Sequence, residues 1–149
     1  MKNVLTPFLT ACAVLAVGSS AAFAKEGWGD NYEKGLAQAK AEKKLLVLDF
    51  TGSDWCGWCI KLDKEVFSKP EFKSYAKDNL VLVEVDFPKL KELPADVAKQ
   101  IDKLQKQYKI EGYPTVIVLN SAGKKVGELG YQEGGPKPFT DKLDALKKK

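Results

Sequence analysis

A chain of 149 residues with 24 lysines, no arginine and no histidine is about one domain long and short of the usual catalytic groups. Without histidine there is no Ser-His-Asp or Cys-His pair and no imidazole to hold zinc, copper or haem, and without arginine there is no bidentate fork for carboxylate or phosphate. The lysines are interspersed with 20 acids, so the net charge of +4 is not a nucleic-acid footprint, and three cysteines, Cys12, Cys56 and Cys59, head the remaining reactive groups.

Residues 1–24 read as a secretory signal peptide: Lys2 gives a basic start, an apolar run extends from Val4 to Val17, and Ala22-Phe23-Ala24 fits an A-x-A cleavage site. The run is too short and interrupted for a confident membrane span, which needs roughly 20 apolar residues. Leu9-Thr10-Ala11-Cys12 resembles a bacterial lipobox, which would anchor the chain through a lipid on Cys12. Against that reading, the apolar run continues past Cys12, where a lipobox cysteine normally closes it. Cleavage after Ala24 leaves one domain, 25–149, long enough to build a core without a disulfide staple. Cys56 and Cys59 close too small a loop to add much stability, a first sign that they are kept for reactivity.

Along that domain, Tyr32, Leu36 and Ala39 recur at helical spacing, predicting a helix from Asn31 to about Lys43. Leu45–Phe50 is an apolar run with one acid, Asp49, and reads as a strand buried on both faces. After the loop 51–54 a helix starts near Cys56, and Ser68 with Glu71 has capping-box spacing for a second helical piece carrying Phe72, Tyr75 and Ala76. Leu80–Phe87 is the next strand. A basic, proline-punctuated loop leads to a helix from about Pro94 with Val97, Ile101, Leu104 and Tyr108 on one face. Its lysines read as a solvated face. Thr115–Leu119 and Lys125–Tyr131 are strands around the turn 121–124, and a final helix carries Phe139, Leu143 and Leu146. The first strands are expected to be parallel through right-handed crossovers, and the last two to form a hairpin.

The chemistry concentrates in Trp55-Cys56-Gly57-Trp58-Cys59. A strand ends, a loop turns, and Cys56 falls at a helix N-terminus, where unpaired N–H groups favour a thiolate. The thiolate is the form that attacks a disulfide, and Cys59, one helical turn on, is placed to resolve the mixed disulfide. A zinc site needs four ligands, and two cysteines without histidine do not supply them. A c-type haem site needs histidine after the second cysteine, where Ile60 stands. A plain structural disulfide remains open.

With these residues in view, the chain resembles secreted bacterial members of the thioredoxin superfamily. The resemblance rests on Leu45-Leu46-Val47-Leu48-Asp49-Phe50, the WCGWC segment, and Gly112-Tyr113-Pro114-Thr115, and covers nearly all of residues 25–149. It implies an α/β thioredoxin-like fold: a central mixed sheet of about four strands flanked by helices, with an N-terminal helix in place of the first thioredoxin strand. It implies that Pro114 is a cis-proline facing the cysteines and that backbone before it, with Tyr113, docks a substrate segment. A proline opening an apolar strand is unusual in itself, though a simple trans proline would satisfy the spacing. It also implies that Asp49 serves Cys59 as a proton acceptor, against the alternative of an exposed strand-end acid. One residue more than in thioredoxin separates Asp49 from Cys56. Trp58 replaces the proline usual between the cysteines. Trp55, Gly57 and Trp58 are therefore expected on the partner-binding surface.

The expectation is an exported thiol:disulfide oxidoreductase, periplasmic in a diderm bacterium, monomeric, with no cofactor, metal or nucleic acid. Its partners would be cysteine-containing client proteins and a membrane or periplasmic redox protein that recharges the pair. The alternative is a non-catalytic peptide-binding module with a static disulfide.

Overall fold

The buried run Leu45–Thr51 forms β1, the strand on which the rest of the molecule is assembled. In the computed structural model, which describes residues 25–148, it lies inside a four-stranded sheet of order β2-β1-β3-β4, with β2 at Leu80–Asp86, β3 at Thr115–Leu119 and β4 at Lys125–Leu129. The expected signal peptide 1–24, and Cys12 within it, lie outside the described residues. Five helices flank the sheet: α1 (Tyr32–Glu42), α2 (Gly57–Leu62), α3 (Pro70–Asn79), α4 (Ala95–Tyr108) and α5 (Pro136–Leu146). None of these helices is long and apolar enough to cross a membrane.

Side chains alternate across a strand, so β1 feeds two cores. Leu45 and Val47 pack with Leu62, Val66, Phe67, Phe72 and Phe139. Leu46, Leu48 and Phe50 pack on the other face with Ala39, Ile101 and Leu104. Asp49 therefore belongs to the face covered by α2, α3 and α5, the side from which the cysteines come.

The mixed sheet and leading helix are those the sequence implied, but one strand direction is not. β1 and β2 are parallel, whereas β3 runs antiparallel to β1, pairing Phe50 with Thr115 and Leu46 with Leu119. The expectation of parallel first strands assumed that the helix between β2 and β3 returns the chain to the opposite end of the sheet. Only residues 95–108 of that connection are helical, and the irregular segments 87–94 and 109–114 bring the chain back to the end it left. β4 stops at Leu129, short of the expected Tyr131. The Ser68–Glu71 capping box does not form. Lys69 occupies the cap of α3 with no side-chain bond, while the Ser68 hydroxyl donates to Asp63 Oδ2 at 2.8 Å. That bond sits on a π-helical turn, Asp63–Phe67, which continues α2.

Before α1, residues 25–30 run beside β2. Gly29 N–H donates to Leu82 O at 2.9 Å and Gly29 O accepts from Glu84 N–H at 2.8 Å. This single bridge occupies the sheet edge. Asn31 then caps α1, its Oδ1 accepting from Lys34 N–H at 2.9 Å. Gly35 sits where α1 crosses the sheet, and a Cβ there would come to 2.5 Å from Val83 Cγ2 and 3.2 Å from Leu46 Cδ1. Gly35→Ala is expected to lose about 1–3 kcal/mol to overpacking, offset by up to about 1 kcal/mol of helix propensity. A urea melt should show a lower midpoint with unchanged slope; an unchanged midpoint would mean that Val83 yields freely.

Candidate active site

The loop after β1 turns tightly. Gly52 O accepts from Trp55 N–H at 3.2 Å and Cys56 N–H at 2.8 Å, and Ser53 is tied to Asp86 at the end of β2 through its N–H (2.9 Å) and hydroxyl (2.6 Å). This turn closes the loop between β1 and α2. It delivers Cys56 in extended conformation to the N-cap of α2, where Sγ accepts from Cys59 N–H at 3.2 Å. Cys56 and Cys59 are joined as a disulfide, and Cys59 is 4% exposed. In the reduced pair, the same N–H and the helix N-terminus favour charge on Cys56 Sγ.

The Tyr113–Pro114 peptide is cis. Tyr113 meets Trp55 edge-on, ring centres 5.8 Å apart, and Phe87 at 5.2 Å, and its hydroxyl accepts from Gln105 Nε2 at 2.7 Å. Trp55 Nε1 donates to Phe87 O at 2.7 Å, and its indole lies on Gly52, whose Cβ would fall 2.4 Å from the ring. Trp58 is 58% exposed and meets Tyr131 at a tilt of 43°, ring centres 5.1 Å apart, while Gly57 beside it faces open space. The structure thus gathers Trp55 and Tyr113 into one aromatic cluster beside Cys56, with Trp58 on a second that includes Tyr131.

Asp49 is buried, 3% exposed. Burial pushes its carboxyl up to about 6, with Lys25 opposing the rise, so it is not an exposed strand-end acid. Its Oδ2 receives Lys25 Nζ at 3.3 Å, and its Oδ1 has no hydrogen-bond partner.

Several residues around the site carried no sequence signal. Phe87 and Tyr131 meet the tryptophans only through the fold. On the 87–94 loop the lysines are exposed, as expected, but two of them also make contacts: Lys89 Nζ lies 4.0 Å over the Trp55 ring, and Lys91 pairs with Asp86 at 3.1 Å. Asp54 holds that loop against the site by accepting from the N–H groups of Lys89 (2.9 Å) and Leu90 (2.8 Å). An acid and backbone donors 35 and 36 positions apart have no periodicity that could have revealed this. Lys61 covers Trp58 and Tyr131 at 5.1 and 4.8 Å.

Comparison with known proteins agrees with the geometry. The family model of a thioredoxin-like domain matches residues 32–147. The disulfide bond reductase DsbH of Chlamydia pneumoniae is 34% identical over 119 residues, covering 80% of this chain and 72% of that protein. The thiol:disulfide interchange protein DsbD of Klebsiella pneumoniae is 34% identical over 96 residues, 64% of this chain but only 14% of DsbD. A solved structure of DsbH oxidoreductase superimposes with a TM-score of 0.77 at 35% identity, covering 81% of this chain and 83% of that one. A thioredoxin from Thermus thermophilus, at 20% identity and a TM-score of 0.58 over 77% of this chain and 82% of its own, shares the fold. With the sheet, the Cys56–Cys59 pair and the domain match coinciding, the chain belongs to the thioredoxin-like family.

Proposed function

We propose that the protein is an exported thiol:disulfide oxidoreductase acting on cysteine-containing client proteins through Cys56 and Cys59. The observation that carries this reading is Cys56 Sγ at the N-cap of α2, accepting the Cys59 N–H, beside an exposed aromatic surface. The name of its relative DsbH, a disulfide bond reductase, favours the reducing direction.

In that direction the Cys56 thiolate attacks one sulfur of a client disulfide. A Cys56–client bond forms, the client S–S bond breaks, and its electron pair leaves on the other sulfur, which takes up a proton. Asp49 removes the proton of Cys59. The Cys59 thiolate attacks Cys56 Sγ, the Cys56–client bond breaks, and the second client sulfur leaves and is protonated. The client gains two electrons and two protons, and the pair ends as a disulfide. A membrane or periplasmic dithiol protein returns the two electrons for the next cycle. Tyr113 and Pro114 dock the client backbone, while Trp55, Gly57 and Trp58 form the surface against which its side chains pack.

Export rests on the composition of 1–24, with cleavage after Ala24 leaving Lys25 at the head of a 25–149 domain. The decisive experiment is a Cys59→Ser variant expressed with its leader in a diderm host. It should accumulate mixed disulfides through Cys56 that reducing agent releases, while the wild-type protein reduces insulin. An absence of both trapped partners and insulin reduction would leave only the static, peptide-binding reading.

A further inference from the structure

Each tryptophan of the WCGWC segment carries an ammonium group on its ring. Lys89 Nζ lies 4.0 Å from the ring centre of Trp55, the residue before Cys56. Lys61 Nζ lies 5.1 Å from the centre of Trp58, in the first turn of α2, and 4.8 Å from that of Tyr131. Both tryptophans are exposed. Among the described residues, neither lysine forms an ion pair with a carboxylate.

The nearby acids are engaged by other donors. Asp54 accepts from the N–H groups of Lys89 and Leu90, which pins the 87–94 loop beside Trp55. Asp86 binds Ser53 and Lys91. Glu65 accepts the Tyr131 hydroxyl at 2.6 Å, so it and Glu133 act on Lys61 only through space. The ring quadrupole holds each ammonium on its indole, so the charge stays at the rim of the site instead of swinging through solvent. A cation placed in this way has attraction left for a visiting anion. In a chain without arginine or histidine, lysine is the side chain that can supply it.

We propose, resting on the oxidoreductase reading, that Lys61 and Lys89 make the protein selective for client disulfides whose cysteines are flanked by aspartate or glutamate.

The covalent geometry of the exchange supports this. A client joined to Cys56 Sγ brings the neighbours of its own cysteine to the residues around Cys56, because consecutive Cα atoms are only about 3.8 Å apart. A carboxylate on one of those neighbours meets Lys89 on the Trp55 side or Lys61 on the Trp58 side, and a client lysine meets a like charge. Discrimination therefore comes from attraction and repulsion together. Neither lysine forms a bond or takes a proton in the sulfur exchange. They act on which client docks.

The test uses three symmetric disulfide-linked peptides whose cysteine is flanked on both sides by aspartate, asparagine or lysine. Each is reduced by the reduced protein at neutral pH, and each rate is divided by the rate with dithiothreitol, an uncharged reductant, to remove the intrinsic reactivity of the peptide. The corrected rate for the aspartate peptide should exceed that for the lysine peptide by roughly five- to fiftyfold at low salt, the range for a few exposed charge contacts. The ratio should shrink toward one at ~1 M salt, where the screening length falls to about 3 Å. Lys61→Gln and Lys89→Gln, which keep a side chain on each indole without the charge, should each lower the ratio, and the double variant should bring it within about twofold of one. A wild-type ratio near one overturns the proposal. So does a double variant that slows all three peptides alike and keeps the ratio, the result expected if the lysines only cover the indoles. If the wild-type protein reduces none of the peptides, the oxidoreductase reading fails instead. The same peptides with serine for cysteine then decide the charge preference by NMR of the Trp55 and Trp58 indole N–H signals: shifts with the aspartate peptide alone support it, and equal shifts or none overturn it.

Discussion

Replacing Cys56 by serine is expected to cut insulin reduction by roughly a thousandfold or more, while Cys59→Ser leaves the first attack intact and blocks only release. Where a mechanism runs through one nucleophile, its removal has cost on the order of 10⁶ in turnover; slow direct attack by Cys59 makes the smaller loss the expected one here. The two cysteines differ because the fold gives them different surroundings. Cys56 Sγ is the N-cap acceptor of α2, so charge on it is met by a backbone N–H and the positive end of the helix. Both cysteines are nearly covered, Cys56 7% and Cys59 4% exposed, but Cys59 lies inside the helix, away from its N-terminal cap, where burial disfavours a thiolate until its proton is taken. Rapid alkylation at limiting reagent should therefore label Cys56 first in the reduced protein, with a midpoint below the ~8.5 of a free thiol. Preferential labelling of Cys59, or mixed disulfides that accumulate in Cys56→Ser and not in Cys59→Ser, would overturn this division of roles. Both variants lack the disulfide, so a matched loss of stability cancels in the comparison.

How much of this site was legible in the sequence follows the range of the interactions that build it. Cys56 and Cys59 are three positions apart on one helix start, so spacing alone places them together. Leu45–Phe50 is buried on both faces, and an acid inside such a run declares itself, which is why Asp49 could be singled out. Pro114 at the head of an apolar strand is conspicuous for the donor it lacks. The direction of β3 was not legible, because periodicity marks α4 as a helix without saying at which end of the sheet the flanking irregular segments deliver the chain. Lys25 was the least visible of all. It is one of 24 lysines, next to the expected cleavage site, and its meaning depends on a single β-bridge at Gly29 that carries no sequence pattern. Tyr131 on Trp58 and Lys89 on Trp55 are likewise products of folding alone.

Asp49→Asn should make the protein more stable and less active, and the stability gain should grow with pH. Folded, Asp49 keeps its proton up to about 6; unfolded, it ionises near the ordinary 3.8. Between those values the folded state binds more protons than the unfolded one. The stabilisation from this site is therefore fully present below pH 3.8 and is lost as pH rises through about 6. The gap between the two values corresponds to about 3 kcal/mol at 1.36 kcal/mol per pH unit. Asparagine does not titrate, and its amide oxygen can still accept from Lys25. In denaturant melts of the oxidised protein, the difference between Asp49→Asn and wild type should shift by about 3 kcal/mol in favour of the variant from pH 3 to pH 8. A difference that stays constant over that range would mean that Asp49 does not ionise in the folded protein, and it could not then serve as a base. Over the same range, mixed-disulfide resolution in the variant should slow by roughly a hundredfold, the lower end of what a positioned base contributes. A buried carboxylate that destabilises the fold at neutral pH fits a group whose ionised form is used. In the proposed mechanism, the cost of holding Asp49 charged under α2 is what would drive it to take up the Cys59 proton.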